Sequence, residues 1–200
     1  MLRIGITGGI GSGKSYISHL LSSVMNIPVY DCDREAKRLT ADSPAIRQAL
    51  QQVVGPDVYD EHGLVKQRLA AYLFASQEHA ERINAIIHPA VRNDFRQWQQ
   101  HQSSTVVAME SAILYESGFH TEVDCVLYVD APAELRLQRA MARDNAKREQ
   151  IEARMQMQQT ANFRGQADAV ILNDGVSDEE LIEQLDTIIT NEINNNKPSH

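Results

Sequence analysis

Gly8-Gly9-Ile10-Gly11-Ser12-Gly13-Lys14-Ser15 decides the fold: a glycine, four residues, then Gly-Lys-Ser is the pattern of a phosphate-binding loop. Its flanks fit. Leu2 to Thr7 (Leu-Arg-Ile-Gly-Ile-Thr) reads as a buried strand, and Ile17, Leu20, Leu21 and Val24 recur at helical spacing after it. The glycines let backbone N–H groups close around phosphate oxygens that side chains would block, and the helix N-terminus adds a positive field. Lys14 can reach β- and γ-phosphates, and Ser15 can ligate a magnesium ion bridging them. The plain alternative is a glycine-rich turn that binds nothing; a strand before it and a helix after it speak against that. The loop is therefore read as the seat of a nucleoside triphosphate.

The 200 residues suit one α/β domain with insertions, and 42% hydrophobic and 23% charged residues are ordinary for a globule with a sizeable core. A net charge of -8 argues against a general nucleic-acid binder. No apolar run approaches membrane-spanning length. Cys32 and Cys125 make neither a disulfide framework nor a metal spacing and are expected to be small core residues. With no signal peptide in view, the expected home is a reducing cytoplasm, without membrane or nucleic-acid partners.

Ile27 to Tyr30 reads as a second strand ending in Asp31-Cys32-Asp33. Ligands of open α/β sheets sit at the carboxyl ends of strands, so the two aspartates are placed to orient a hydroxyl, accept its proton or hold magnesium through water. The structural alternative is that one or both cap the next helix. Residues of about 34–102 read as a helical insertion without an obvious buried strand. Ser43 caps a helix begun by Pro44, and Glu61-His62-Gly63 turns the chain. Leu69, Leu73 and Phe74 mark a helix; Ile83, Ile86 and Ile87 mark another, broken at His88-Pro89, where Pro89 starts a further one. Such an insertion is either a second-substrate platform or a layer covering the sheet.

Thr105 to Met109 is a third strand, closed by Glu110, where phosphate-loop proteins place a magnesium-linked acid. Glutamate is long for that position, so contact through water is expected. Asp124 to Val129 and Asp168 to Leu172 complete about five parallel strands. Between them Arg136, Arg139, Arg143, Lys147, Arg148 and Arg154 crowd a helical stretch of about 136–158. They read as a lid that neutralises transition-state charge and excludes water, or, more blandly, as a solvated charged face with Glu134, Asp144 and Glu149. Ser177 to Glu180 reads as a capping box, the last helix as core-facing, and 194–200 as a frayed tail.

Strands alternating with helices give a doubly wound, P-loop NTPase-type parallel sheet with a helical substrate-binding insertion and a short lid, all in one kinase domain. Two functions compete: a small-molecule kinase and a nucleotide-dependent switch. An Asn-Lys-x-Asp motif for guanine and an Asp-x-x-Gly after the third strand are both missing, which favours the kinase.

From Leu2 to about Leu185 the chain resembles the dephospho-CoA kinase family. Gly5 to Ser15 resembles its opening, and Asp31-Cys32-Asp33 its Asp-Ala-Asp element. Gly63-Leu64, Arg68, Leu69, Phe74, Asn84 and His88-Pro89 match its helical region; Arg139, Arg143, Arg154 and Gln158 match its lid. Ala167 to Ile171 with Asn173 and Gly175 match its last strand and turn. One departure is Glu110-Ser111-Ala112-Ile113-Leu114-Tyr115-Glu116, where many members read Asp-x-Pro-Leu-Leu-Phe-Glu. The acid is kept but lengthened and the proline is lost.

The resemblance implies transfer of the ATP γ-phosphate to the ribose 3′-hydroxyl of 3′-dephospho-CoA, with ATP and Mg2+ required. It implies Asp33, Lys14, Arg139 and Arg143 as catalytic residues. Gly9, Ile10, Gly11, Ser12, Gly13, Lys14, Ser15, Tyr16 and Asn173 then hold the nucleotide, and Asp31, Asp33, His88 and Arg154 the acceptor. Ser15 holds the metal, with Glu110 in its outer shell. A monomer or small homo-oligomer is expected.

Overall fold

The computed structural model describes residues 1–158 and 163–195. In chain order the first elements are β1 (Leu2–Gly8), α1 (Lys14–Ser23), β2 (Val29–Asp31), α2 (Cys32–Asp42), α3 (Pro44–Val53), β3 (Tyr59–Asp60), β4 (Gly63–Leu64), α4 (Lys66–Leu73) and α5 (Gln77–Gln100). Then come β5 (Val106–Glu110), β6 (Cys125–Asp130), α6 (Ala133–Asp144), α7 (Arg148–Met157), β7 (Ala169–Leu172) and α8 (Asp178–Asn195). The chain divides into two compact units, one of Met1–Tyr30 with Gln102 onward, the other of Asp31–His101.

The first unit is built on a five-stranded sheet of order β2-β5-β1-β6-β7. β1 runs parallel to β5 and β6, and β6 parallel to β7, with Ile4 opposite both Ala108 and Cys125. Side chains of a strand alternate between faces. Leu2, Ile4 and Ile6 therefore share one face with Ala108, Leu127, Val129 and Ile171, packed by Ile17, Leu20 and Leu21 of α1 and Leu181, Leu185 and Ile189 of α8. On the other face Gly5 makes room for Leu114, whose Cδ2 would lie 2.8 Å from any added Cβ. α6 and α7 join through Leu137, Ala140 and Ile151, with Ile10 of the loop packed against them. α8 continues to Asn195, two residues into the expected tail; residues 196–200 lie outside the described residues. At its start, where the capping box is expected, the Glu180 N–H donates to Ser177 Oγ at 3.3 Å.

The second unit is helical around Ile46, Leu50, Val58, Tyr59 and Ile83. Ser43 accepts the Ile46 N–H with Pro44 in the first turn, and Ser76 accepts that of His79. At the expected Glu61-His62-Gly63 turn the segment forms a small antiparallel hairpin, Tyr59 opposite Leu64 and Asp60 opposite Gly63, tightened by Gly63 at φ +111°. One expectation is corrected here: α5 does not break at His88-Pro89 but runs on through Pro89. Proline removes one backbone hydrogen bond and crowds the preceding turn. Ile83, Val91 and Phe95, buried along one stripe of α5, offset that cost, each worth about 1.5–3 kcal/mol when fully buried.

Candidate active site

β1 ends in Gly8, and the chain wraps into α1 through Gly11 (φ +75°) and Gly13 (φ +95°), left-handed positions that side chains resist. Gly13 stands at the N-cap, and no side chain caps the first turn of α1, leaving a helix N-terminus of the kind that receives anions. The Lys14 ammonium donates to the Gly8 carbonyl at 2.9 Å and to that of Gly9 at 3.2 Å, lying along the loop's own backbone. Ser15 Oγ donates to Glu110 Oε1 at 2.7 Å. The end of β5 thus brings its carboxylate against the first turn of α1, an oxygen-only pair suited to a hard dication.

Three side chains far away in sequence hold this loop. Asn173, buried just after β7, donates through Nδ2 to the Ser12 carbonyl at 2.9 Å. Its Oδ1 and backbone carbonyl accept from the Arg139 guanidinium at 3.2 and 2.9 Å. Gln158, at the end of α7, accepts the Ile10 N–H at 2.8 Å. Arg136 lays its guanidinium against Gly9, where an added Cβ would meet Cζ at 2.7 Å. Among the described residues, Ser12 Oγ and Arg136 Nε are buried without a hydrogen-bond partner.

A cleft of about 180 Å³ opens over the loop between Gly11, Gly13, Lys14, Ser15, Tyr16, Arg139 and Arg143. Beside it a cleft of about 420 Å³ is lined by Gly13, Tyr16, Arg139, Asn173, Val176 and Asp178. The Tyr16 hydroxyl donates to Asp178, which raises the phenol's pKa. Gly9 to Tyr16, Asn173, Arg139, Arg143 and Glu110 are therefore gathered in the first unit. Arg154 is engaged elsewhere, donating to Asp144 at 2.6 Å.

Asp31, Asp33 and His88 lie in the second unit. Asp31 accepts the Arg34 N–H at 2.9 Å, the cap of α2. Asp33 lines a cleft of about 910 Å³ with Lys37 and Lys66 and an apolar wall of Leu64, Leu69, Leu73 and Ile87. His88, on α5, is half-buried; desolvation, aided by the positive charge of Arg92, pushes its pKa below the ordinary value.

Residues 2–179 match the family model for dephospho-CoA kinase. The chain belongs to the dephospho-CoA kinase family. A dephospho-CoA kinase of Bacteroides fragilis is 50% identical over 186 residues, covering 92% of this chain and 89% of that one. One of Porphyromonas gingivalis is 47% identical over 175 residues, 86% of each. Among solved structures, TT1252 from Thermus thermophilus superposes with a TM-score of 0.82 at 31% identity, covering 96% of this chain and 97% of that one. As a member of this family the chain is an ATP-dependent kinase. Among the described residues no helix is long and apolar enough to cross a membrane, and no cluster of three or more histidines, cysteines or carboxylates is placed to hold a metal. Magnesium sites that lean on substrate phosphates need no such cluster.

Sequence reading placed the loop but missed its supports. Nothing local in Asn173 announces a bond to Ser12, and Gln158 stands out only through the resemblance of the lid. The Tyr16–Asp178 bond joins residues with no shared motif.

Proposed function

We propose that this kinase transfers the γ-phosphate of ATP to the ribose 3′-hydroxyl of 3′-dephospho-CoA, giving CoA and ADP. The observation that carries the reading is Asp33: a carboxylate set in a largely apolar cleft of about 910 Å³, in a chain that also builds a phosphate loop. An extended acceptor suits that cleft, with Lys37 and Lys66 for its phosphates and Leu64, Leu69, Leu73 and Ile87 for its less polar arm. His88 is not among the described residues lining it, so no acceptor contact is assigned to it. Asp31 caps α2, and the reading gives Asp33, which lines the cleft, the role of orienting the 3′-hydroxyl and taking its proton as the bond to phosphorus forms.

On the nucleotide side, Lys14 exchanges the Gly8 and Gly9 carbonyls for β- and γ-phosphate oxygens, and the amides of the loop hold the rest. Arg139 and Arg143 neutralise charge as it moves to the leaving diphosphate. The cleft beside Tyr16, Asn173 and Val176 takes the adenosine. Ser15 and Glu110 fit magnesium, Ser15 as direct ligand and Glu110 through water; when bound, the ion draws charge off the β- and γ-phosphates. The reading expects a cytoplasmic enzyme, monomeric or a small homo-oligomer, without nucleic-acid or membrane partners.

An ADP-release assay across acceptors tests it. Turnover is expected with dephospho-CoA; a rate only with nucleoside monophosphates would make the chain a nucleotide kinase instead. Asp33→Asn is expected to abolish nearly all transfer with ATP binding close to normal. Turnover within about tenfold of the parent, roughly 1.4 kcal/mol, would overturn the base assignment.

A further inference from the structure

α6 ends on a carboxylate. Asp144 is its last residue, followed by Asn145 in the left-handed conformation, and the last turn of a helix disfavours negative charge. Two guanidiniums hold it there. Arg143 donates through Nε at 2.7 Å and Nη2 at 3.2 Å, and Arg154, one turn from the end of α7, donates through Nη1 at 2.6 Å. These bonds, Arg143 first and then Arg154, drive the Asp144 pKa far below the ordinary carboxylate range.

An exposed ion pair of this kind is normally of small consequence. This one differs in where its arginine stands. Arg143 lines the cleft over Gly11, Gly13, Lys14 and Ser15, the part of the molecule built for phosphate. A carboxylate gripped by Nε and Nη2 offers a guanidinium the same two-oxygen edge that a phosphate offers. Arg148, by contrast, is paired with Glu134 and Glu152, and neither it nor they line that cleft.

We propose that Asp144 is a resident anion: anchored by Arg154, it occupies Arg143 while the loop is empty and cedes it to the triphosphate, thereby setting the affinity for ATP. It is a positioning residue, acting through Arg143 and touching no reacting atom. Each bond it makes to Arg143 must be given up before the phosphates gain the same donors, so its charge weakens nucleotide binding while keeping the lid arginines assembled. The proposal rests on the reading of Arg143 as a phosphate ligand, and is independent of the acceptor.

The test is equilibrium binding of ATP and of inorganic tripolyphosphate at low salt, with no acceptor present. Asp144→Asn is expected to bind both about threefold to fivefold more tightly, the scale of an exposed charge pair, and Asp144→Glu to return to the parent value. Loss of a purely structural staple would weaken binding or leave it unchanged, and either result overturns the proposal. Arg143→Met separates the two ideas: if it leaves ATP affinity untouched, the underlying phosphate-ligand reading fails first. A second measurement uses the unaltered chain. The Nε–H resonance of Arg143, assigned by its loss in Arg143→Lys, is expected to move on adding tripolyphosphate while that of Arg148 stays. An unmoved Arg143 signal at saturation overturns the proposal.

Discussion

The Asn173 side-chain amide donates to the Ser12 carbonyl at 2.9 Å, joining residues 161 positions apart. The same side chain accepts from Arg139, so one buried amide fixes both the loop and Arg139. Asn173→Asp keeps the shape and loses the donor, setting a carboxylate against a carbonyl oxygen. It is expected to raise the KM for ATP at least tenfold, about 1.4 kcal/mol, measured by steady-state kinetics at saturating acceptor. A change below twofold would mean the bond is incidental.

Gly13 combines a left-handed backbone with a neighbour too close for any side chain: an added Cβ would lie 2.0 Å from Asn173 Nδ2. Gly13→Ala is expected to cost about 2 kcal/mol of stability from backbone strain together with displacement of Asn173. For a chain of this size that lowers Tm by about 4–8 °C, read by differential scanning calorimetry, with nucleotide binding weakened in parallel.

Glu110 reaches Ser15 Oγ directly at 2.7 Å. Glu110→Gln keeps a hydrogen-bonding group and removes the charge that would favour a dication. The Mg2+ concentration for half-maximal rate is expected to rise about fivefold to tenfold, with the rate at saturating Mg2+ recovering most of its parent value. An unchanged requirement would remove Glu110 from the metal's surroundings.

The His88 pKa is lowered chiefly by desolvation, with repulsion from Arg92 adding to it. The unfolded chain then binds a proton more readily than the folded one. Its contribution is fully present above the ordinary value of about 6.5 and is lost as pH falls below it toward the depressed folded pKa. Between pH 7 and pH 5, Tm of the parent is expected to fall more than that of His88→Gln. Equal slopes would show that the imidazole titrates alike in both states.

Burial raises the Cys125 thiol to about 12, the nearby carboxylates of Glu192, Asp168 and Asp124 adding to it, and Cys32 is buried as well. Since the thiolate is the reactive form, a disulfide reagent at pH 8 is expected to modify neither cysteine until denaturant unfolds the chain.

The loop was legible because its physics is local: glycines where the backbone must turn left-handed or approach phosphate, and apolar residues at the right period on either side. The sheet was legible for the same reason, since Val106 to Met109 and Cys125 to Val129 are too uniformly apolar to lie anywhere but inside. Pro89 misled because the rule for proline describes an isolated helix, whereas Ile83, Val91 and Phe95 bury enough surface to carry α5 through it. Asp144 was legible only as one of several acids near the arginines. That two guanidiniums converge on it depends on how α6 and α7 fold back on each other. Asn173 and Gln158 entered through family resemblance, and their partners Ser12 and Ile10 became visible only in three dimensions.

The unit that holds the Asp33 cleft is one uninterrupted run of chain, Asp31–His101, whereas the phosphate loop, Glu110, Arg139 and Asn173 all lie outside it. On the function proposed above, donor handling and acceptor choice are written in separate stretches of the gene. Changes within the run are then expected to alter which alcohol is phosphorylated while leaving the ATP machinery intact. Grafting that run from a kinase with a different acceptor is therefore the shortest engineering route to a new specificity on this scaffold.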